Sequence, residues 1–185
     1  MVKKTNSVAT ETAYAAQIAS LHGALGIAGD YHQTIGLPLQ AEPRQLTDAG
    51  PDMFGRPLQM TPDTLAAWLA MRDQAARDGV TLWVVSAYRS VNYQAEVIRR
   101  KLDSGRSLED ILRVNAAPGY SEHHTGRALD IATPDSPPLE TAFDQTVAYL
   151  WLTENAAKFG FVLSYPEGSL SAISYEPWHW CYRAG

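Results

Sequence analysis

Residues 121–130 read Ser-Glu-His-His-Thr-Gly-Arg-Ala-Leu-Asp, and residues 176–180 read Glu-Pro-Trp-His-Trp. Between them these two stretches hold two histidines, an aspartate and a glutamate that could meet around one metal ion. A catalytic divalent zinc takes three protein ligands of nitrogen or oxygen type and keeps a fourth position open. His123, Asp130 and His179 fit those three places, with Glu176 beside them as a base. Spacing by itself does not separate His123 from His124.

For this to work, the chain must turn twice. Gly126 stands between His123 and Asp130, and a turn at 124–126 lets the two converge although they are seven positions apart. Glu176 and His179 are three apart and would face opposite sides of an uninterrupted strand. Pro177 disfavours a fully paired strand there and permits the bend that brings Glu176 toward His179. A metal that polarises a carbonyl, with a carboxylate to take a proton from water, predicts hydrolysis of an amide. Each residue also has a plainer explanation: a histidine hydrogen-bonded for structure, or Asp130 paired with Arg127. Cys181, two residues after His179, would share its face on a strand. It reads as a small buried apolar residue rather than a fourth ligand.

The remaining chain reads as scaffold. Tyr14, Ile18, Leu21 and Leu25 fall at helical spacing and predict an amphipathic N-terminal helix. Nine Gly and Pro residues between 26 and 57 predict an irregular arm. Thr61-Pro62-Asp63 opens a helix that Gly79 ends. Thr81–Ser86 is a short buried strand that leads into Arg89. Ser90 caps a helix over about 91–102, and Ser107 a short one to about Val114. Strands are predicted over 127–132, 161–164 and 178–182. Between the first two lie a proline-rich loop and a helix with Phe143, Val147, Leu150 and Trp151 on its inner side. The expected fold class is α+β: a small, mainly antiparallel sheet bearing the zinc site, flanked by helices. Residues 1–60 form a helix and arm packed on the core, and residues 61–185 the catalytic domain.

Composition narrows the function. The chain's 185 residues suit one well-buried domain. A net charge of −5 without a Lys/Arg cluster argues against a nucleic-acid partner. No apolar run approaches the ~18 residues of a membrane span. The single cysteine excludes an intrachain disulfide framework. Met1-Val2-Lys3-Lys4 resembles the charged start of a secretory signal, but polar residues interrupt the apolar core that should follow. The chain as given reads as cytoplasmic, or as belonging to the periplasm or cell envelope if a signal was removed.

Three runs in this order carry a resemblance: Ser86-Ala-Tyr-Arg-Ser90, Ser121 to Asp130, and Glu176-Pro-Trp-His179. They resemble the motifs of VanY-type D-alanyl-D-alanine carboxypeptidases, zinc peptidases that include L,D-carboxypeptidases and, more distantly, the VanX dipeptidases and the Hedgehog domain. The likeness covers roughly residues 60–183. It implies that His123, Asp130 and His179 bind Zn2+, with His124 a neighbour, and that Glu176 is the catalytic base. Arg89 then stabilises the oxyanion or the substrate carboxylate, and Gln94 and Ser121 line the pocket for the terminal D-alanine. The implied partner is a peptidoglycan stem peptide, cleaved at a D,D or an L,D bond. Ser164 departs from the arginine that related enzymes often carry before Tyr-Pro, which bears on recognition of the rest of the peptide. Two alternatives stand beside this reading. A phage-type endopeptidase would be favoured by a separate wall-binding domain. A non-catalytic cell-wall-peptide module would be expected to lose the base or the arginine, and Glu176 and Arg89 are both present.

Overall fold

The computed structural model describes residues 2–183. A four-stranded antiparallel sheet has the order β3 (Trp83–Ser86), β4 (Ala128–Ala132), β6 (His179–Tyr182), β5 (Phe161–Leu163). Its period-two alternation separates two environments. Val84, Leu129, Ile131, Trp180 and Phe161 enter a core with α3 (Pro62–Arg77) and α6 (Val147–Asn155). Asp130 and His179, at the intervening positions, leave that core and belong to the site. A second apolar cluster joins α1 (Val2–Leu25), α4 (Val91–Asp103) and α5 (Leu108–Leu112) through Ile18, Leu25, Ile98 and Ile111. No described helix is long and apolar enough to cross a membrane.

Local chemistry sets the helix ends. Thr61, Ser90, Ser107 and Thr146 each accept a hydrogen bond from the backbone N–H three residues on, the preferred N-cap arrangement. Gly79 follows α3 at φ 79°, a conformation that suits glycine at a helix C-terminus.

Two expectations need correction. Residues 26–60 are not wholly irregular: they contain α2 (Tyr31–Thr34) and a hairpin of β1 (Thr47–Pro51) and β2 (Pro57–Met60). Asp52 organises the hairpin turn. Its Oδ1 accepts from Phe54 N at 2.8 Å and Arg56 N at 2.9 Å, and its Oδ2 pairs with Arg56 at 2.5 Å. Gly50, Pro51, Gly55 and Pro57 are therefore strand and turn residues of the hairpin, while residues 36–46 remain irregular. The hairpin reaches the sheet region through Met53 N to Val84 O and Tyr88 N to Gln59 O.

The helix before β5 also differs. Thr146 caps it, so Phe143 falls in a preceding 3-10 turn (Thr141–Gln145). Its buried face is Ala148, Trp151 and Leu152, at the one-, four- and five-residue offsets from Val147. Val147 and Leu150 point outward and are 71% and 58% exposed.

Candidate metal centre and substrate pocket

Strand register brings the first two donors together. Asp130 on β4 and His179 on β6 are directly paired residues, and Asp130 also pairs with Ser86 on β3. His123 comes from a 3-10 turn (Glu122–Thr125) that Gly126 closes at φ 67°. Gly126 N–H bonds back to His123 O, and so does Arg89 N–H, which ties the turn to the end of β3. A methyl group at Gly126 would stand 3.0 Å from Leu46 Cδ2 and 3.3 Å from the Thr61 backbone nitrogen.

The donor atoms converge. His123 Nε2 lies 3.2 Å from Asp130 Oδ2, and His179 Nδ1 lies 3.1 Å from Asp130 Oδ1. One donor atom from each residue lies within 4.8 Å of the others, and all three residues are buried. Two nitrogens and a carboxylate oxygen suit zinc. The outward nitrogens are also occupied. His123 Nδ1 donates to Ala87 O at 2.6 Å, since a carbonyl can only accept, and this leaves Nε2 as the free lone pair. His179 Nε2 faces Glu122 Oε2 at 3.0 Å, and Glu122 is paired in turn with Arg183. Such partners orient metal-binding imidazoles. His124 has no free nitrogen: Nδ1 donates to Arg89 O at 2.7 Å, and Nε2 accepts from Gly119 N at 3.1 Å.

The electrostatics follow from burial and pairing. Burial and the nearby Arg89 push His123 down to about 4, although Asp130 opposes them. Burial also acts to lower His179, but hydrogen bonds to Asp130 and Glu122 outweigh it and hold the imidazole at about 10. Burial would raise Asp130, yet His123 and His179 keep it well below the usual carboxylate range. Glu122 is held at about 2, its burial outweighed by His179 and Arg183. Glu176 stands apart. Burial raises it to about 7, with His179 pulling the other way.

Glu176 lies just outside β6 in a turn closed by His179 N–H to Glu176 O at 3.1 Å. Its Oε2 is 3.8 Å from His179 Nδ1, on the same edge of the ring as Asp130. A cavity of about 240 Å³ opens over these groups and is lined by Arg89, Ser121, His123, Asp130, Glu176 and His179, among others. Arg89 Nε is buried without a hydrogen-bond partner among the described residues. Gln94 does not line this cavity. It is fully buried behind the wall, with Nε2 donating to Ala116 O at 2.8 Å and Oε1 without a partner among the described residues. Cys181 is buried outside the donor cluster, where burial and Glu122 push its thiol up to about 12.

Glu122 is the residue that sequence reasoning passed over. It lies within the central run, one position before His123, and its acidic side chain was the available signal. Lys101 and Asn115 also line the cavity unforeseen. Lys101 lies seven residues after Gln94, two helical turns along α4, and that spacing could have pointed to it.

Comparison with known proteins agrees with this geometry. The sequence matches the VanY D-alanyl-D-alanine carboxypeptidase family over residues 57–185. A D-alanyl-D-alanine carboxypeptidase of Enterococcus faecalis (strain ATCC 700802 / V583) is 32% identical over 120 residues, covering 60% of this chain and 43% of that protein. The chain thus spans less than half the length of this relative. Among solved structures, the LD-carboxypeptidase LdcB superposes with a TM-score of 0.69 at 31% identity, over 78% of this chain and 71% of that one. VanYB in complex with D-alanine-D-alanine gives 0.60 at 27%, over 76% and 77%. A VanY D,D-pentapeptidase variant in complex with Zn(II) gives 0.56 at 26%, over 81% and 80%. The sheet that pairs Asp130 with His179, the turn that delivers His123 and the match over most of the sequence have one common explanation: this chain belongs to the VanY D-alanyl-D-alanine carboxypeptidase family.

Proposed function

We propose that the protein is a zinc carboxypeptidase that removes a C-terminal D-alanine from peptidoglycan stem peptides. The observation that carries this reading is the position of Glu176, a buried carboxylate that lines the cavity beside three convergent donors, 3.8 Å from His179 Nδ1. Zn2+ held by His123, Asp130 and His179 would polarise the scissile carbonyl and lower the pKa of its water to about 7.

The protein's own groups do the rest. Glu176 takes a proton from the attacking water and passes it to the departing amine, the role of a positioned general acid–base carboxylate. Arg89, cationic and with an unspent Nε donor, holds the C-terminal carboxylate or the oxyanion. Ser121 lines the space for the terminal residue. Ala87 O and Glu122 fix the faces that His123 and His179 present. Residues 61–185 hold all these groups, and residues 1–60 support them: Glu42 Oε1 accepts from Val91 N at 2.7 Å at the start of α4.

Incubating the Zn2+-loaded protein with stem tetrapeptide and pentapeptide separately, and following products by mass, tests the proposal. Loss of one alanine from the tetrapeptide marks an L,D-carboxypeptidase, and from the pentapeptide a D,D-carboxypeptidase. Glu176→Ala is expected to keep its zinc and to lose activity by about 10²–10⁴-fold. Zinc binding without cleavage of either peptide would overturn the reading.

A further inference from the structure

The cavity contains a second cation that the proposed chemistry does not use. Lys101 lies in the last turn of α4 and lines the cavity with Arg89 and Glu176. Its ammonium donates to Asn115 Oδ1 at 3.0 Å, and Asn115 is itself held by a bond from Nδ2 to Ile111 O at 3.0 Å. Among the described residues, no carboxylate lies within ion-pair distance of Lys101 or of Arg89.

Two ordinary explanations fall short. A lysine in the last turn of a helix is favoured by the helix dipole. Arg100, its neighbour, already meets that demand while lying outward, 5.4 Å over the Tyr93 ring. A lysine kept for solubility would extend into water, whereas Lys101 is half-buried. Burial, with Arg106 and Arg89 nearby, lowers its pKa, and Glu176 opposes the shift. Keeping a partly desolvated ammonium near other cations is costly, and an anion entering the cavity would relieve that cost.

We propose that Lys101, positioned by Asn115, is a specificity-determining residue that binds a second substrate carboxylate, carried upstream of the scissile bond. This rests on the carboxypeptidase reading above. The departing D-alanine has a methyl side chain and a single carboxylate, so any further carboxylate must come from the acyl side. Arg89 directly precedes the Ser90 cap of α4, and Lys101 lies ten residues beyond Val91, about 15 Å along the axis. The two residues enter the one cavity from opposite ends of α4, and with Arg89 engaged by the terminal carboxylate or the oxyanion, Lys101 is the cation left for a further anionic group. Val114, Leu139 and Ile173 add apolar wall suited to an aliphatic stem. Leu139 has φ 61°, unfavourable for a non-glycine residue, and is 44% exposed.

Affinity measurements test this without turnover. Zn2+-loaded Glu176→Gln protein is titrated calorimetrically with three stem peptides of the tighter-binding length. One has both upstream carboxylates free, one has the third-residue carboxylate amidated, and one has the second-residue carboxylate amidated. One amidation is expected to weaken binding about tenfold, as loss of a charge-assisted hydrogen bond does, and to identify which carboxylate is bound. Adding Lys101→Met should bring that ratio close to one, and Lys101→Arg should restore it. A flat ratio in the starting protein, or a ratio that survives Lys101→Met, overturns the assignment. D-Alanine release by the wild-type protein is read separately. No release with the ratio and its collapse intact overturns the peptidase reading and leaves Lys101 assigned. Release with a flat ratio overturns the Lys101 assignment alone.

Discussion

Glu122 Oε2 lies 3.0 Å from His179 Nε2, on the edge of the imidazole opposite Asp130, whose Oδ1 is 3.1 Å from Nδ1. The ring is therefore held from both sides, and the Glu122 carboxylate makes the nitrogen facing Asp130 more basic. Glu122→Gln keeps the shape and removes the charge. Zinc affinity is expected to fall about 10–100-fold, the usual cost of losing such a partner. Competition with a chelator measures it, and unchanged affinity would remove Glu122 from the site's supporting layer.

Arg89 presents a planar fork of donors that a lysine cannot reproduce. Arg89→Ala is expected to lower kcat/KM by about 10²–10³-fold, the range for losing an oxyanion donor. Arg89→Lys should recover little of it, with zinc content unchanged in both. Full recovery by lysine would mean that charge alone matters at this position.

Gly126 and Gly79 both have positive φ, yet a methyl group at Gly79 meets nothing within 4 Å, while one at Gly126 presses on Leu46 and Thr61. Gly126→Ala should therefore destabilise the fold by more than the ~1–3 kcal/mol of backbone strain expected for Gly79→Ala. It should also weaken zinc binding, because the turn it closes carries His123. Denaturant unfolding of the two variants checks the first effect. Equal losses would show that the 46–61 segment yields.

His22 is buried against the rings of Tyr31 and Tyr120 and bonds Pro118 O through Nε2 at 2.8 Å. Burial lowers its pKa, with the Pro118 carbonyl opposing. The unfolded chain therefore takes up the proton first, as pH falls through about 6.5. His22 thus contributes stability above that pH and progressively less as pH falls toward its lower folded pKa. Melting temperature measured with chelator present should decline between pH 7.5 and 5, and His22→Gln should decline less steeply. Parallel declines would place the acid sensitivity elsewhere.

Much of the fold was legible because short-range chemistry fixed it. Thr61, Ser90 and Ser107 cap the helices they precede, and the four sheet strands expected after residue 80 lie where their sequence patterns fall. The hairpin around Asp52 was hidden because its glycines and prolines looked like breakers until the side-chain bonds of Asp52 showed a turn. Val147 and Leu150 misled because the cap at Thr146 rotates the helix, and a short apolar helix does not state which side is inward.

The types of residue that form the site, and the order of the three runs that mark the family, are legible in the amino-acid sequence alone. Their chemistry is local: imidazole, carboxylate and guanidinium keep their character wherever they lie. Which atoms meet follows from the packing of strands and helices. The β4–β6 register sets Asp130 against His179, backbone bonds consume both nitrogens of His124 and leave Nε2 of His123 free, and packing places Gln94 behind the wall while Lys101 reaches the cavity. Those outcomes depend on distances between residues far apart in the chain, and such distances exist only once the sheet and helices have packed.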